Sequence, residues 1–286
     1  MGRDRIHERI GKRHLPRVIL GILSILFIGG AALLWKIAIA LPSERTTIAQ
    51  DGDPVRIMSW DEARRRLTVM PLPGDLRIDG AYGVGSLPIA SIRRLEVLDS
   101  KKKGVFIASL SDALAIPIVG LTDEVPLPLR LRFWWIMKKL RPDAITTFDL
   151  DSRGVFSTDT LPDGDQVRVF DVNRFDAVIG GELEVDSIRR EGARVRVVNT
   201  TDVAGLGNRA ARFLSHAGMV VVAVESEQGS QKGCTLHAKE GVLRDDSVRF
   251  ASAVFGCVPT GEDTEDRVDI TVRLGSDYRF VPRPRR

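Results

Sequence analysis

Apolar and polar positions fall into three regimes along the chain. The first is "VILGILSILFIGGAALLW", Val18 to Trp35, eighteen residues without a charge. As a helix rising 1.5 Å per residue it reaches about 27 Å, close to a hydrocarbon core of about 30 Å. Pro42 to Pro54 is polar without periodicity and reads as a linker. The second regime begins with "PVRIMSWDEARRRLTVMPL", two apolar strands near 55–60 and 66–72 joined by a polar turn, the pattern of a hairpin. Helical spacing follows over 89–98 and 105–115, separated by the polar "DSKKKG", and "PIVGL" (117–121) reads as a short strand. In "PLPLRLRFWWIMKKLRPD", Leu129, Phe133, Ile136 and Leu140 fall on one helical face. Its other sides carry Arg130, Arg132, Trp134, Trp135, Lys138 and Lys139. That set suits either a solvated cationic face over a core-facing helix or a contact with anionic headgroups or wall polymer.

Further on, "AITTFDL" (144–150) and "QVRVFDV" (166–172) read as strands around a loop-rich segment, and short helices occupy 173–192. The third regime is the most regular. Strand Val195–Val198 leads to a helix whose apolar face is Leu206, Ala210, Phe213, Leu214 and Ala217, stopped by Gly218. "MVVVAVES" reads as a buried strand and "CTLHAKE" as a more exposed one. A second helix, "DDSVRFASAVFG", precedes "VDITVRL", where Val268, Ile270, Val272 and Leu274 alternate with polar residues as in a half-buried strand. The order βαββαβ predicts a small two-layer sandwich with both helices on one face of the sheet.

Gly205-Leu-Gly207-Asn-Arg-Ala210 fits the G-x-G-x-x-G/A pattern of dinucleotide sites, with Glu225 where a ribose-binding acid would lie. Six residues separate Val198 from Gly205, however, whereas the fingerprint turns directly off its strand. The match is coincidental and no nucleotide is expected. Charge argues against nucleic acid in the same way. Six arginines and lysines against two acids give residues 1–17 a charge of +4. From Ile37 onward the chain sums to −1. The basic cluster beside the apolar run instead predicts a single-pass anchor with its N-terminus in the cytoplasm and the bulk outside. A cleaved signal peptide, with Ala38-Ile-Ala40 as its site, is the competing reading. There is no G-x-S-x-G nucleophile motif, and His216 and His237 stand isolated in the sequence, so no metal site is expected from them. Asn199-Thr-Thr201 matches a glycosylation sequon by chance.

"VRVVNTTDVAGLGNRAARFLSHAGMVVVAVES" followed by "VDITVRLGSDY" resembles the LytR C-terminal domain. The shared features are a strand ending in V-x-N, a G-L helix start, A-x-x-L, G-(F/M)-x-V and a closing D-(I/V)-T-V-x-L-G-x-D-Y strand. In related proteins this domain often follows a LytR-CpsA-Psr (LCP) domain behind one transmembrane anchor. LCP domains transfer glycopolymers from polyprenyl-pyrophosphate carriers to the cell wall. "RIMSWDEARRRLTVMPLPGDLRIDGAYGVGS" is similar to an LCP core, whose S-I-P-R-D and K/R-I-N-A-A-Y-x-x-G-G motifs correspond to the runs ending at Asp75 and beginning at Arg77. The resemblance implies a metal-holding role for Asp75 and marks Arg77, Asp79 and Tyr82 as remnant candidates. Gly74 stands where the family has a pyrophosphate-binding arginine, and Asp79 where it has asparagine. The family's later run, R-x-R-x-x-D-x-x-R, is not recognised in this sequence. A leaving pyrophosphate needs several cations aimed at its developing charge, which makes these losses serious.

The chain therefore divides into a cytoplasmic basic segment (1–17), a transmembrane helix (18–41), a linker (42–54), an LCP-like mixed α/β domain (55–192), a βαββαβ LytR C-terminal domain (193–278) and a basic tail (279–286). Cys234 and Cys257, the only cysteines, fall outside the cytoplasm, where disulfides persist. The second helix packs across the strand that Cys234 begins, so a structural bridge between them is expected. The function expected is binding or organising cell-envelope polymer without catalysis or a cofactor. Its rivals are an LCP-type phosphotransferase, which would need magnesium, and an assembly protein that contacts a membrane partner through 129–140.

Overall fold

The computed structural model describes residues 24, 29, 30, 44–99, 102–227, 231–262 and 267–276. The predicted membrane span falls almost wholly outside these, as do the basic N-terminal segment and the 279–286 tail. Among the described residues no helix is long and apolar enough to cross a membrane.

Strands β1 (Arg45–Gln50), β2 (Val55–Asp61) and β3 (Arg66–Leu72) form an antiparallel meander in which Ile57 pairs with Ala49 and Met70. Further along come β4 (Arg77–Gly80), β5 (Gly85–Pro88), β6 (Ile118–Leu121) and β7 (Ile145–Thr147). The last two flank the meander as parallel neighbours, giving the order β6-β1-β2-β3-β7. β1 lies inside the stretch that reads as a polar linker. Its "RTTIAQ" is β-branched rather than apolar, and the Thr47 hydroxyl is satisfied by donating to Ser59 Oγ at 2.9 Å, so polar residues are buried at little cost.

Both faces of this sheet are covered, in line with the period-2 alternation of its strands. Ala49, Ile57 and Met70 face α1 (Ile89–Leu98), α2 (Val105–Leu114) and, further on, α4 (Val172–Ile179). Ile48, Met58 and Leu67 face Leu129 and Phe133 of α3 (Leu127–Lys139). Glu96 sets the start of α2 by accepting from the Gly104 and Phe106 amides at 3.1 and 2.7 Å. A second sheet, β5-β4-β9-β8, adds a hairpin of β8 (Phe156–Thr160) and β9 (Gln166–Phe170). β8 occupies the segment that reads as loop. "FSTDT" is mostly exposed and gives no apolar period.

The C-terminal unit contains α5 (Asp186–Glu191), β10 (Arg194–Asn199), α6 (Leu206–Ala217), β11 (Val220–Ser226), β12 (Thr235–Ala238), α7 (Asp246–Phe255), β13 (Val258–Gly261) and β14 (Ile270–Leu274). One sheet, β11-β10-β14-β12-β13, packs its inner face against the helices in a single core. The predicted βαββαβ order thus gains a strand, β13. Two burial expectations are reversed. β11 is an edge strand with Val220, Val222 and Val224 exposed, whereas β12 lies between β14 and β13 with Leu236 and Ala238 buried. Hydrophobicity alone does not tell an edge valine from a central one. Cys234 and Cys257 form the expected disulfide, with Cα atoms 4.9 Å apart.

The two halves meet along α6. Arg209 pairs with Asp112 at 3.1 Å and Arg212 with Asp176 at 2.7 Å, while Arg212 also donates to the Ala113 carbonyl. His216 is buried here, its Nδ1 3.2 Å from the Ala115 carbonyl oxygen, and its Nε2 lies 3.1 Å from Asp176 Oδ1 but off the hydrogen-bonding direction. Burial pushes the Asp176 carboxyl upward, but the two hydrogen bonds and the charge of Arg212, with His216 beside it, outweigh it and hold the group below its usual range. For Asp112 burial wins over Arg209, and its pKa is raised.

Candidate functional site

The candidate site begins at the β3–β4 turn. The Gly74 amide donates to Asp53 Oδ1 at 3.1 Å, and a Cβ at position 74 would lie 3.3 Å from that oxygen and 3.4 Å from Ala90 Cβ. The position that carries arginine in the LCP motif is therefore turned against Asp53 and α1. Asp75, next in the turn, is exposed. Arg77 and Asp79 project from the same face of β4, alternating with buried Ile78. The Arg77 guanidinium donates to the Ser86 carbonyl at 2.7 Å, so it braces the β4–β5 pair. Tyr82 lies in the turn after β4 with φ +59, a conformation uncommon for a bulky residue, and its ring is half exposed. The geometry gives these four residues different surroundings.

The cation that reaches Asp75 is Arg168 of β9, with Nη1 3.4 Å from Oδ1. This corrects the sequence reading at one point. Gln166-Val-Arg168-Val-Phe-Asp171-Val-Asn-Arg174 has the spacing of R-x-R-x-x-D-x-x-R, with glutamine at the first position. The run escapes notice because three matches remain of four and because β9 is brought to β4 across ninety residues by a parallel pairing, Arg77 opposite Val169. The other two matches do structural work. Asp171 caps α4 by accepting from the Arg174 amide at 2.9 Å, and the Arg174 side chain donates to the Arg153 carbonyl at 3.2 Å.

Neither of two cavities among the described residues supplies the missing cations. An open groove of about 270 Å³ beside the turn is lined by Asp53, Asp149, Asp151, Pro73 and Phe156, an acidic setting. The other, of about 160 Å³, lies at the junction of the halves and is apolar, bordered by Ile116, Val119, Leu183 and Phe213. Its guanidinium, Arg45, is paired to Asp61. Among the described residues no three His, Cys, Asp or Glu side chains converge to hold a metal ion.

The remaining candidates are also placed. Arg132 pairs with Glu62 at 2.8 Å, while the Trp134, Trp135, Lys138 and Lys139 side chains face outward. Arg130 is exposed and reaches the Asp123 carbonyl at 3.5 Å. His237, isolated in sequence, pairs with Glu262 at 2.9 Å. Asn199 is buried and organises the loop after β10. Its Oδ1 accepts from the Thr201 amide and hydroxyl at 3.1 and 2.7 Å, and its Nδ2 donates to the Val203 carbonyl at 3.0 Å. That burial leaves no room for a glycan. The glycines of the apparent nucleotide motif serve the same loop: Gly205 takes φ +75 before α6, and Gly207 seats α6 on β11, where a Cβ would come 2.9 Å from Val224 Cγ1.

Fold and site together define a two-part α/β protein. A helix-covered mixed sheet bears an acidic, cation-poor turn, and a two-layer sandwich closed by a disulfide follows it. Residues 192–278, which make up that second part, match the family described as LytR cell envelope-related transcriptional attenuator. Among solved structures the chain is similar to the transcriptional regulator yvhJ from Bacillus subtilis, at 11% identity and TM-score 0.36, over 48% of this chain and 95% of that one. It is also similar to B. subtilis TagV, at 10% identity and TM-score 0.23, over 67% and 88% of the two chains. Scores this low leave the functional argument to the residues themselves. Comparison with curated proteins gives no match.

Proposed function

We propose that the protein is a membrane-anchored, extracytoplasmic component of the cell envelope. In this reading an LCP-like domain and a LytR C-terminal domain bind or organise wall polymer without transferring it. The observation that carries the non-catalytic reading is the poverty of cations at Asp75. Among the described residues Arg168 alone reaches it, Arg77 is spent on the Ser86 carbonyl, and the adjoining groove is acidic. A pyrophosphate leaving group gains its stabilisation from several preorganised cations, and an acidic groove repels it. The Cys234–Cys257 bridge suits an oxidising compartment and supports the exported topology. The basic N-terminal cluster beside the apolar run at 18–35 supports an inward N-terminus.

One observation favours the rival transferase: Arg168 sits on the Asp75 carboxylate within a run that keeps three of the four family positions. That reading needs a divalent ion at Asp75, and a lone exposed carboxylate already paired to arginine is a poor ligand set for one. The detergent-solubilised full chain should co-sediment with purified cell wall stripped of protein. A chain that stays in the supernatant at every wall concentration contradicts the polymer-binding reading.

A further inference from the structure

We propose that α3 (Leu127–Lys139) is a membrane-docking helix that lies on the anionic outer surface of the bilayer holding the protein's own anchor. This rests on the anchored topology proposed above. The helix has two apolar stripes rather than one. Leu129, Phe133, Ile136 and Leu140 form the stripe that packs on the meander sheet. Leu127, Leu131, Trp134 and Trp135 form a second stripe with i, i+4, i+7, i+8 spacing on the opposite side, and each is more than half exposed. Four large apolar side chains in register on a free helix face make a contiguous patch, which isolated surface hydrophobics do not.

Charge and position select a lipid surface as the occupant. No acidic residue lies within the helix, and Arg130, Lys138 and Lys139 flank the outer stripe. The Lys139 ammonium lies 3.7 Å from the Trp135 ring centroid and Lys138 5.2 Å from that of Trp134, so cation and indole project as units, the pairing suited to a headgroup boundary. The entry of the chain adjoins the same helix. The Glu44 carbonyl accepts from the Glu62 amide at 2.6 Å, and the Glu62 carboxylate accepts from Arg132 at 2.8 Å. Trp135 and Lys139 lie one and two turns beyond Arg132 on that flank. Only Pro42 and Ser43 lie between the predicted end of the span at 41 and Glu44, a reach of about 10 Å over three residue steps when extended. The tether thus holds this flank of α3 at the membrane surface, and the 13-residue helix offers about 20 Å of length to lie along it.

The test uses the full chain carrying Trp35→Phe, reconstituted in phosphatidylglycerol vesicles with bromine at the upper acyl chain. Trp60 is buried beneath α3 and stays out of reach of the quencher. Docking predicts loss of most Trp134 and Trp135 emission. It also predicts recovery of that emission in K138E/K139E and in vesicles of phosphatidylcholine alone, and no quenching in W134F/W135F. Washing the vesicles with alkaline carbonate reads the anchor separately. Protein that resists the wash but is not quenched overturns docking and leaves the anchor standing, whereas protein that washes off removes the anchor and overturns both. Emission untouched by bromolipid but shifted by purified wall assigns the face to polymer and overturns the lipid proposal.

Discussion

Asp269 shows how much a single side chain in the closing strand segment can carry. It accepts from the Arg194 amide at 3.0 Å, from the Arg194 guanidinium at 3.1 and 3.2 Å, and from Lys239 at 3.3 Å. The hydrogen bonds from Arg194 hold its pKa at about 2, below the ordinary 3.8. The folded chain therefore binds fewer protons here than the unfolded one. The stability Asp269 contributes is present above pH 3.8 and is lost as pH falls toward about 2. Asp269→Asn should destabilise the protein at pH 7, and the difference from wild type in urea midpoint should shrink as pH falls through that window. A difference that stays constant with pH contradicts this. The disulfide is the second residue-scale test. Closing a loop with a sequence separation of 23 is worth about 3 kcal/mol in the chain-entropy model, so Cys234→Ser/Cys257→Ser should lower urea stability by about that amount, with a steeper slope as the unfolded chain expands. Both features were partly legible. The alternation in "VDITVRL" turns Asp269 away from the core, and two cysteines in a unit expected to be exported predict their pairing. The partner Arg194 was not legible, because a 75-residue separation is closed only by parallel pairing of β10 with β14.

At the scale of elements, periodicity located the helices and the hairpin well and failed where burial depends on neighbours. α6 carries one apolar face, α2 is buried on nearly every side, and the bounds of both fall close to the predicted ones. β1, β8 and β13 were missed because threonine, serine, aspartate and proline dominate them, so strand pairing rather than hydropathy specifies them. β11 and β12 exchanged their expected roles since order within the sheet, not valine content, decides which strand is central. The glycine motif, dismissed as a nucleotide site, is a packing device. Gly207→Leu should drive a side chain into Val224 and cost about 1–3 kcal/mol of stability by urea unfolding. A variant as stable as wild type would show that β11, at the sheet edge, yields without penalty.

At the scale of the molecule, the two halves share a junction built from Arg209, Arg212 and His216 on α6, each of which finds an acid across it. Nothing in the sequence marks that junction, since its partners are about forty to a hundred residues apart. The candidate site was legible in kind but incomplete in membership. The turn residues were found by motif, whereas Arg168 emerged only when β9 came to lie beside β4. Its arrival supplies one cation where the chemistry asks for several, and the proposed non-transferring role rests on that count. The most direct measurement supplies the reconstituted full chain with magnesium, a radiolabelled polyprenyl-pyrophosphate-linked glycopolymer and purified wall acceptor. The label should reach the wall only as material that detergent and salt remove. Magnesium-dependent covalent attachment, abolished by Asp75→Ala and by Arg168→Ala, would contradict the account.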